Sequence, residues 1–434
     1  MSLRVGASLA LGVTLLGCPE STPSPAAPPA RVVEDAAFDV SLDRTWSIVG
    51  NDLTPGDDAL GWAVQAPSDA AFTIWWGDDA IATSAGPSAS GTLDVAAYPP
   101  GEQALRFALD GAEEAFAERR FQRSHPLYVV TSVDWDRADT IDDELAFMDS
   151  LHEDHDALVL TQFVGPYTFT DPDVSPERRG VLVDWLLANE VAFGDEIGLH
   201  IHPYCNFVET TSVPCRTSPS FAYEDGDERG YTVFCSSYER AEFAELLRAA
   251  DALFEGEGMG KPVTFRAGGW TANGAVLQAL ADEGYTADTS ANHWALMEEW
   301  ADGIEGGLYD WNRANWARIT ATSQPYQPDV DAPDGPGPQP IGILEVPDNG
   351  ILADYVEAEE MIAVLEANWD GAALLEPKVL SVGFHNRTRG IGFSFRDRVR
   401  GLLDHVDDHL ARDDAGPLIY ERLDGMPLVW PLEE

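Results

Sequence analysis

From residue 123 onward the chain alternates short strand-like runs with amphipathic helical runs, and this rhythm limits the fold more than any other feature. Residues 127–133 (LYVVTSV), 158–164 and 197–201 are dense in apolar and β-forming side chains, and shorter runs follow at 263–265, 342–346 and 379–384. Strands apolar on both faces belong to buried, parallel sheets. Between them, Ile141, Leu145, Met148 and Leu151 recur at helical spacing, with Asp139 or Thr140 as the N-cap. Ser175-Pro176 opens a second helix and Gly194 follows its end. Further helices are expected over 238–254, over 271–283 before Gly284, and over 395–410. The alternation predicts an α/β domain over 123–434, a parallel sheet covered by helices and closed or open as a barrel. Residues 323–340 hold too much Pro, Gly and Asp for regular structure and read as a long loop.

The preceding stretch has a different period. Runs such as 38–42 and 71–76 alternate or carry β-formers, and Pro55-Gly56-Asp57-Asp58, Gly86-Pro87-Ser88 and Pro99-Pro100-Gly101 separate them. Residues 32–122 are therefore expected to form a small β-sandwich, serving as an accessory carbohydrate-binding unit or as a spacer.

Residues 1–31 are expected to direct location, not folding. Arg4 precedes an apolar run over 5–16, which ends in Leu15-Leu16-Gly17-Cys18. That ending resembles the lipobox of bacterial lipoproteins. The resemblance implies a signal peptide over 1–17, lipidation of Cys18 and a membrane partner reached through the lipid anchor. The Pro-rich stretch over 18–31 reads as an extended tether. Pro19 is not an aspartate that would retain the protein at an inner membrane, so the expected location is the cell envelope, at the outer membrane or cell surface. The three remaining cysteines, Cys205, Cys215 and Cys235, allow one intramolecular disulfide, with the pairing open. With 75 acidic against 26 basic residues, the chain carries a formal charge of −49 and repels phosphate backbones, which argues against a nucleic-acid partner.

The chemistry gathers at the C-terminal ends of the predicted barrel strands, where α/β barrels build their sites. Asp134-Trp135-Asp136 ends the first strand, and one of its carboxylates can bind a metal while the other stays free as a base. His200 and His202 end the third strand. Residues two apart on an extended chain share a face, so both imidazoles can reach one ion. Arg266-Ala267-Gly268-Gly269-Trp270 ends the next strand; its arginine can pair with a carboxylate, and its glycines admit substrate close to the backbone. His385 ends a late strand.

In this order, Asp-x-Asp, His-x-His, Arg-x-Gly and a late His, residues 126–434 resemble the polysaccharide deacetylase family, the NodB-homology carbohydrate esterases. The resemblance implies a deformed (β/α)7 TIM-like barrel, a glycan substrate and a divalent metal, Zn²⁺ foremost, with Co²⁺, Ni²⁺ or Mn²⁺ as alternatives. It implies Asp136, His200 and His202 as metal ligands, Asp134 as general base and His385 as the acid for the leaving amine. Arg266 would orient Asp134, and Asp288 would tune His385. The metal and a backbone N–H near Tyr204 would hold the oxyanion. Trp135, Tyr204 and Trp270 are expected to stack on sugar rings. Two features depart from the family's commonest pattern: Trp135 separates the aspartates, and Tyr204 stands four residues after His200, where the second histidine usually falls. The function expected is metal-dependent removal of acetyl groups from an N- or O-acetylated glycan. The rival expectations are hydrolysis of another amide or a glycosidic bond, and glycan binding without catalysis.

Overall fold

The computed structural model describes residues 39–65, 71–84, 88–110, 112–303, 306–386 and 394–432. The signal peptide, Cys18 and the whole of the tether expectation lie outside them.

Eight strands occupy residues 39–124: β1 (Asp39–Leu42), β2 (Trp46–Ile48), β3 (Ala59–Gln65), β4 (Phe72–Trp76), β5 (Asp79–Ser84), β6 (Ser88–Asp94), β7 (Gly101–Leu109) and β8 (Ala112–Ser124). They form a three-stranded sheet, β1-β3-β6, and a five-stranded sheet, β2-β8-β7-β4-β5. Strand alternation sends Leu60, Trp62 and Val64 of β3 to the same side, where they share one core with Phe72 and Ile74 of β4 and with Leu105 and Phe107 of β7. Side chains of both sheets meet in that core, so the unit is a sandwich.

The barrel follows with β9 (Leu127–Asp134), β10 (Leu160–Val164), β11 (Glu196–Ile201), β12 (Thr264–Ala267), β13 (Ala287–Asp288), β14 (Leu344–Glu345), β15 (Lys378–His385) and β16 (Leu418–Tyr420). Their order is β14-β13-β12-β11-β10-β9-β15, with every pairing parallel; β16 pairs the start of β9. This is a distorted (β/α)7 barrel. No ladder joins β14 to β15. Residues 350–353 bridge the gap instead, through Gly350 N–H to Ser381 O (2.9 Å), Gly383 N–H to Ile351 O (3.1 Å) and Ala353 N–H to Gly383 O (2.8 Å). The register sets His385 beside Asp134 and Arg266 beside His200.

Most of the expected elements are present, with their ends shifted by a few residues. The helix Pro176–Phe193 has Ser175 Oγ accepting from Arg178 N, and Gly194 leaves it at φ 82°, a left-handed cap that glycine adopts without cost. The helix Asp142–Asp154 differs from expectation, because neither Asp139 nor Thr140 caps it. Ile141 is its N-cap, and Asp139 is drawn away to Arg178 Nε at 2.7 Å. Strands β13 and β16, and the helices Gly306–Asn315 and Ala358–Asn368, were not foreseen. Cys205 and Cys215 form the disulfide, and Cys235 is a buried thiol facing Ile201 O. No helix among the described residues is long and apolar enough to cross a membrane.

The sandwich meets the barrel away from the strand C-termini. Asn51 Nδ2 and Thr54 Oγ1 each lie 2.8 Å from the hydroxyl of Tyr128, the second residue of β9. Asp414 accepts from the backbone N–H groups of Thr45 and Trp46.

Candidate metal centre

Asp136, His200 and His202 converge at the C-terminal mouth of the barrel, all buried, with one potential donor atom of each within 4.8 Å of the others. His200 Nε2 is 3.3 Å, and His202 Nε2 3.2 Å, from the same oxygen, Asp136 Oδ1. The other ring nitrogens explain why this cluster suits a cation. His200 Nδ1 lies 2.9 Å from Arg266 O, and His202 Nδ1 lies 2.8 Å from Tyr231 O. A carbonyl only accepts, so each Nδ1 carries a proton, and the neutral tautomer this selects offers an Nε2 lone pair. Two lone pairs and a carboxylate oxygen then face one another in a space shielded from water. That donor set fits a divalent ion, and carbonyl-anchored histidines are its usual outer support.

The electrostatics agree. Burial pushes the Asp136 carboxyl up, but the imidazoles of His385, His202 and His200 outweigh it and hold the group well below the usual carboxylate range. Burial lowers the His202 imidazole, against the raising effect of Asp136. The two shifts run the same way, toward a carboxylate that holds its charge and an imidazole that gives up its proton.

Asp134 belongs to a separate arrangement. Its Oδ1 is 3.0 Å from Arg266 Nη1, which also donates to Ser132 Oγ at 2.7 Å. Arg266 Nη2 is 3.3 Å from Asp348 Oδ2. Asp348 accepts from Trp270 Nε1 at 2.8 Å, and burial raises its carboxyl to about 6 despite Arg266. A buried arginine thus joins two carboxylates, Asp134 and Asp348.

His385 lies beside Asp134 on the adjacent strand. Its Nε2 is 3.4 Å from Asp136 Oδ2 and its Nδ1 3.1 Å from Asp354 Oδ2. Asp354 also accepts from the His385 backbone N–H at 2.9 Å. The carboxylate beside His385 is therefore Asp354, not Asp288. Asp288 accepts from the N–H and hydroxyl of Ser290 and lies beside Glu345 in the sheet register. Burial raises both carboxyls of that pair.

Other expectations also need correction. Trp135 is fully buried, donates to Gln162 Oε1 at 3.1 Å and packs near Trp185, so no sugar can stack on it. The alternation that turns Asp134 and Asp136 to the cleft turns Trp135 away. The Tyr204 N–H is bonded to His202 O at 2.7 Å and the next N–H, of Cys205, to Arg229 O at 2.8 Å, so neither is offered to an oxyanion. The Tyr204 hydroxyl donates to Asp136 O at 3.2 Å. Gly268 approaches the His202 ring and not a substrate: a Cβ there would lie 2.6 Å from Cγ and Nδ1 of His202. Trp270 does line the cleft, together with Phe221, Tyr223, Leu308, Leu352 and Tyr355. Tyr231, Asp348 and Asp354 were missed. They sit in irregular segments that carry no period, and an unpatterned Asp or Tyr gives no signal.

A scan of protein-family models gives no match, and a search of curated proteins gives none. Among solved structures, the chain is similar to a protein assigned as a polysaccharide deacetylase from Mycobacterium smegmatis, at 13% identity and a TM-score of 0.40, over 69% of this chain and 88% of that one. It is similar to a family 4 carbohydrate esterase from Streptomyces lividans in complex with acetate, at 10% identity and 0.33, over 69% and 94%. It is also similar to the Xyl-CE4 domain of a multidomain xylanase from the hindgut metagenome of Trinervitermes trinervoides, at 7% identity and 0.32, over 68% and 87%.

Proposed function

We propose that the protein is a metal-dependent deacetylase, acting on an N- or O-acetylated glycan and held in the cell envelope by a lipid on Cys18. The observation that carries this reading is the separation of tasks inside one cleft. Three donors converge on one point, a second carboxylate stands apart on an arginine, and a histidine stands on the neighbouring strand. The tether and the lipidation motif support the location, and the aromatic cleft wall supports a sugar.

A divalent cation such as Zn²⁺, held by Asp136, His200 and His202, supplies Lewis acidity that polarises a carbonyl and acidifies water. The chain's own groups move the protons. Asp134, fixed by Arg266, takes the proton of the water that attacks the acetyl carbon. Arg266 is buried and always charged, and its guanidinium is paired with the Asp134 carboxylate. As the C–N or C–O bond breaks, His385 delivers a proton to the departing amine or alcohol, and acetate remains. Asp354 Oδ2, which accepts from the His385 backbone N–H, lies 3.1 Å from Nδ1 of that ring, on the side away from Nε2.

The test is acetate release from chitin oligomers and peptidoglycan, alongside metal content, for wild type, Asp136→Ala and His200→Ala. Wild type is expected to hold about one metal per chain and to release acetate, and both variants to lose both properties. Full activity in either variant sinks the reading. Saturable glycan binding without acetate release, unaffected by Asp134→Ala, establishes the non-catalytic rival instead.

A further inference from the structure

The loop between β11 and the helix Arg240–Gly256 brings to the site a group that no motif announces. Tyr231 reaches the metal centre twice. Its carbonyl accepts a hydrogen bond from His202 Nδ1, and its hydroxyl donates to Asp136 Oδ2 at 2.6 Å. Its ring lies 4.3 Å from that of His202 and 5.2 Å from that of Tyr204. The loop fixes it there. Asp227 accepts from the N–H groups of Arg229 and Thr232, and Cys205 N–H bonds to Arg229 O. Gly230 adopts φ 81°, where a Cβ would lie 2.3 Å from Pro203 O, so this close turn requires glycine.

The Asp136 carboxylate is divided as a result. Oδ1 faces Nε2 of both ligand histidines, while Oδ2 faces the Tyr231 hydroxyl and His385 Nε2. We propose that the Tyr231 phenol is a positioning residue of the metal centre, reserving Oδ2 so that Asp136 presents Oδ1 to the ion. The proposal rests on the metal reading above. A free carboxylate can turn about its last bond and offer either oxygen, or both. A phenol bonded to one oxygen stops that rotation, and outer groups of this kind alter metal affinity by about 10- to 100-fold. In this chain, where His202 follows His200 by two residues, the phenol supplies an orientation that ligand spacing alone does not.

Tyr231→Phe in the full chain keeps the carbonyl and the ring and removes only the hydroxyl. Zn²⁺ affinity, measured by competition with a chromogenic chelator, is expected to fall about 10- to 100-fold. Thermal unfolding of the metal-free variant is expected to match wild type. Equal affinity in variant and wild type overturns the role of the phenol and leaves the metal centre standing. A metal-free variant that unfolds well below wild type also overturns it, by making the hydroxyl a structural bond. A wild type that binds no Zn²⁺ overturns the metal reading beneath the proposal.

Discussion

At the scale of single residues, the site works by assigning each ring nitrogen and each carboxylate oxygen one partner. Carbonyls occupy Nδ1 of His200 and His202, and a carboxylate occupies Nδ1 of His385. That contrast in the Nδ1 partner distinguishes His200 and His202, whose tautomer a carbonyl selects, from His385, which has a carboxylate there. Asp354→Asn retains the size of the group and removes its charge. Turnover is expected to fall on the order of 10- to 100-fold, with metal content unchanged, because His385 loses its orientation and its support as an acid. Loss of metal in this variant would move Asp354 from the acid to the metal centre. The same contrast shows what was legible beforehand. Asp134, Asp136, His200, His202, Arg266 and His385 could be found because each ends a patterned strand. Trp135 was misread although two-residue alternation already pointed it inward. Asp354 and Tyr231 depend on contacts far apart in sequence, so no local pattern could select them.

At the scale of elements, the strand ends are crowded by short irregular turns, and these turns set the ligand geometry. Gly268–Trp270 follows β12 as a tight turn with Trp270 at φ 58°, and Ile351, in the segment that closes the barrel, stands at φ 56°. A β-branched residue at positive φ is costly, so the surrounding structure must hold it there. Both strained residues lie in turns that border the cleft. Gly268→Ala tests how tightly the turn and the ligand are fitted. The new methyl would meet backbone-anchored His202, whose ring has little freedom to retreat. Metal affinity is expected to fall at least about tenfold, in line with loss of an outer-shell bond, and isothermal titration with Zn²⁺ measures it. An unchanged affinity would mean that the turn yields and His202 does not. Apolar runs revealed the long strands readily, whereas two-residue β13 lies below any detectable period and β14 was expected longer than it is. Closure by residues 350–353 was illegible for a related reason, since its bonds come from a loop.

At the scale of the whole molecule, the sandwich and the site lie toward opposite ends of β9: Tyr128 meets Asn51 near its start, and Asp134 enters the cleft at its end. Among the described residues the sandwich packs against the barrel without lining the cleft. The start of β11 contains a further buried carboxyl remote from the cleft. Glu196 accepts from Thr161 Oγ1 at 2.9 Å, from Thr264 Oγ1 and from Asp424 N at 3.1 Å. Burial, together with the neighbouring Asp424, raises its carboxyl from 4.5 to about 7. The folded protein thus binds this proton more tightly than the unfolded chain. Stability from this group is complete below pH 4.5 and is lost as pH rises to about 7. The loss is on the order of 3 kcal/mol for a shift of that size. Glu196→Gln keeps a neutral acceptor between the two threonines and cannot ionise. Urea unfolding in EDTA at pH 5 and pH 8 removes any metal contribution from the comparison. The variant is expected to lose less stability than wild type between those pH values, by a sizeable part of that amount. Parallel losses in the two proteins would show that Glu196 is ionised in the fold at both pH values, and that hydrogen bonds from its neighbours suffice to hold a charge in the barrel wall.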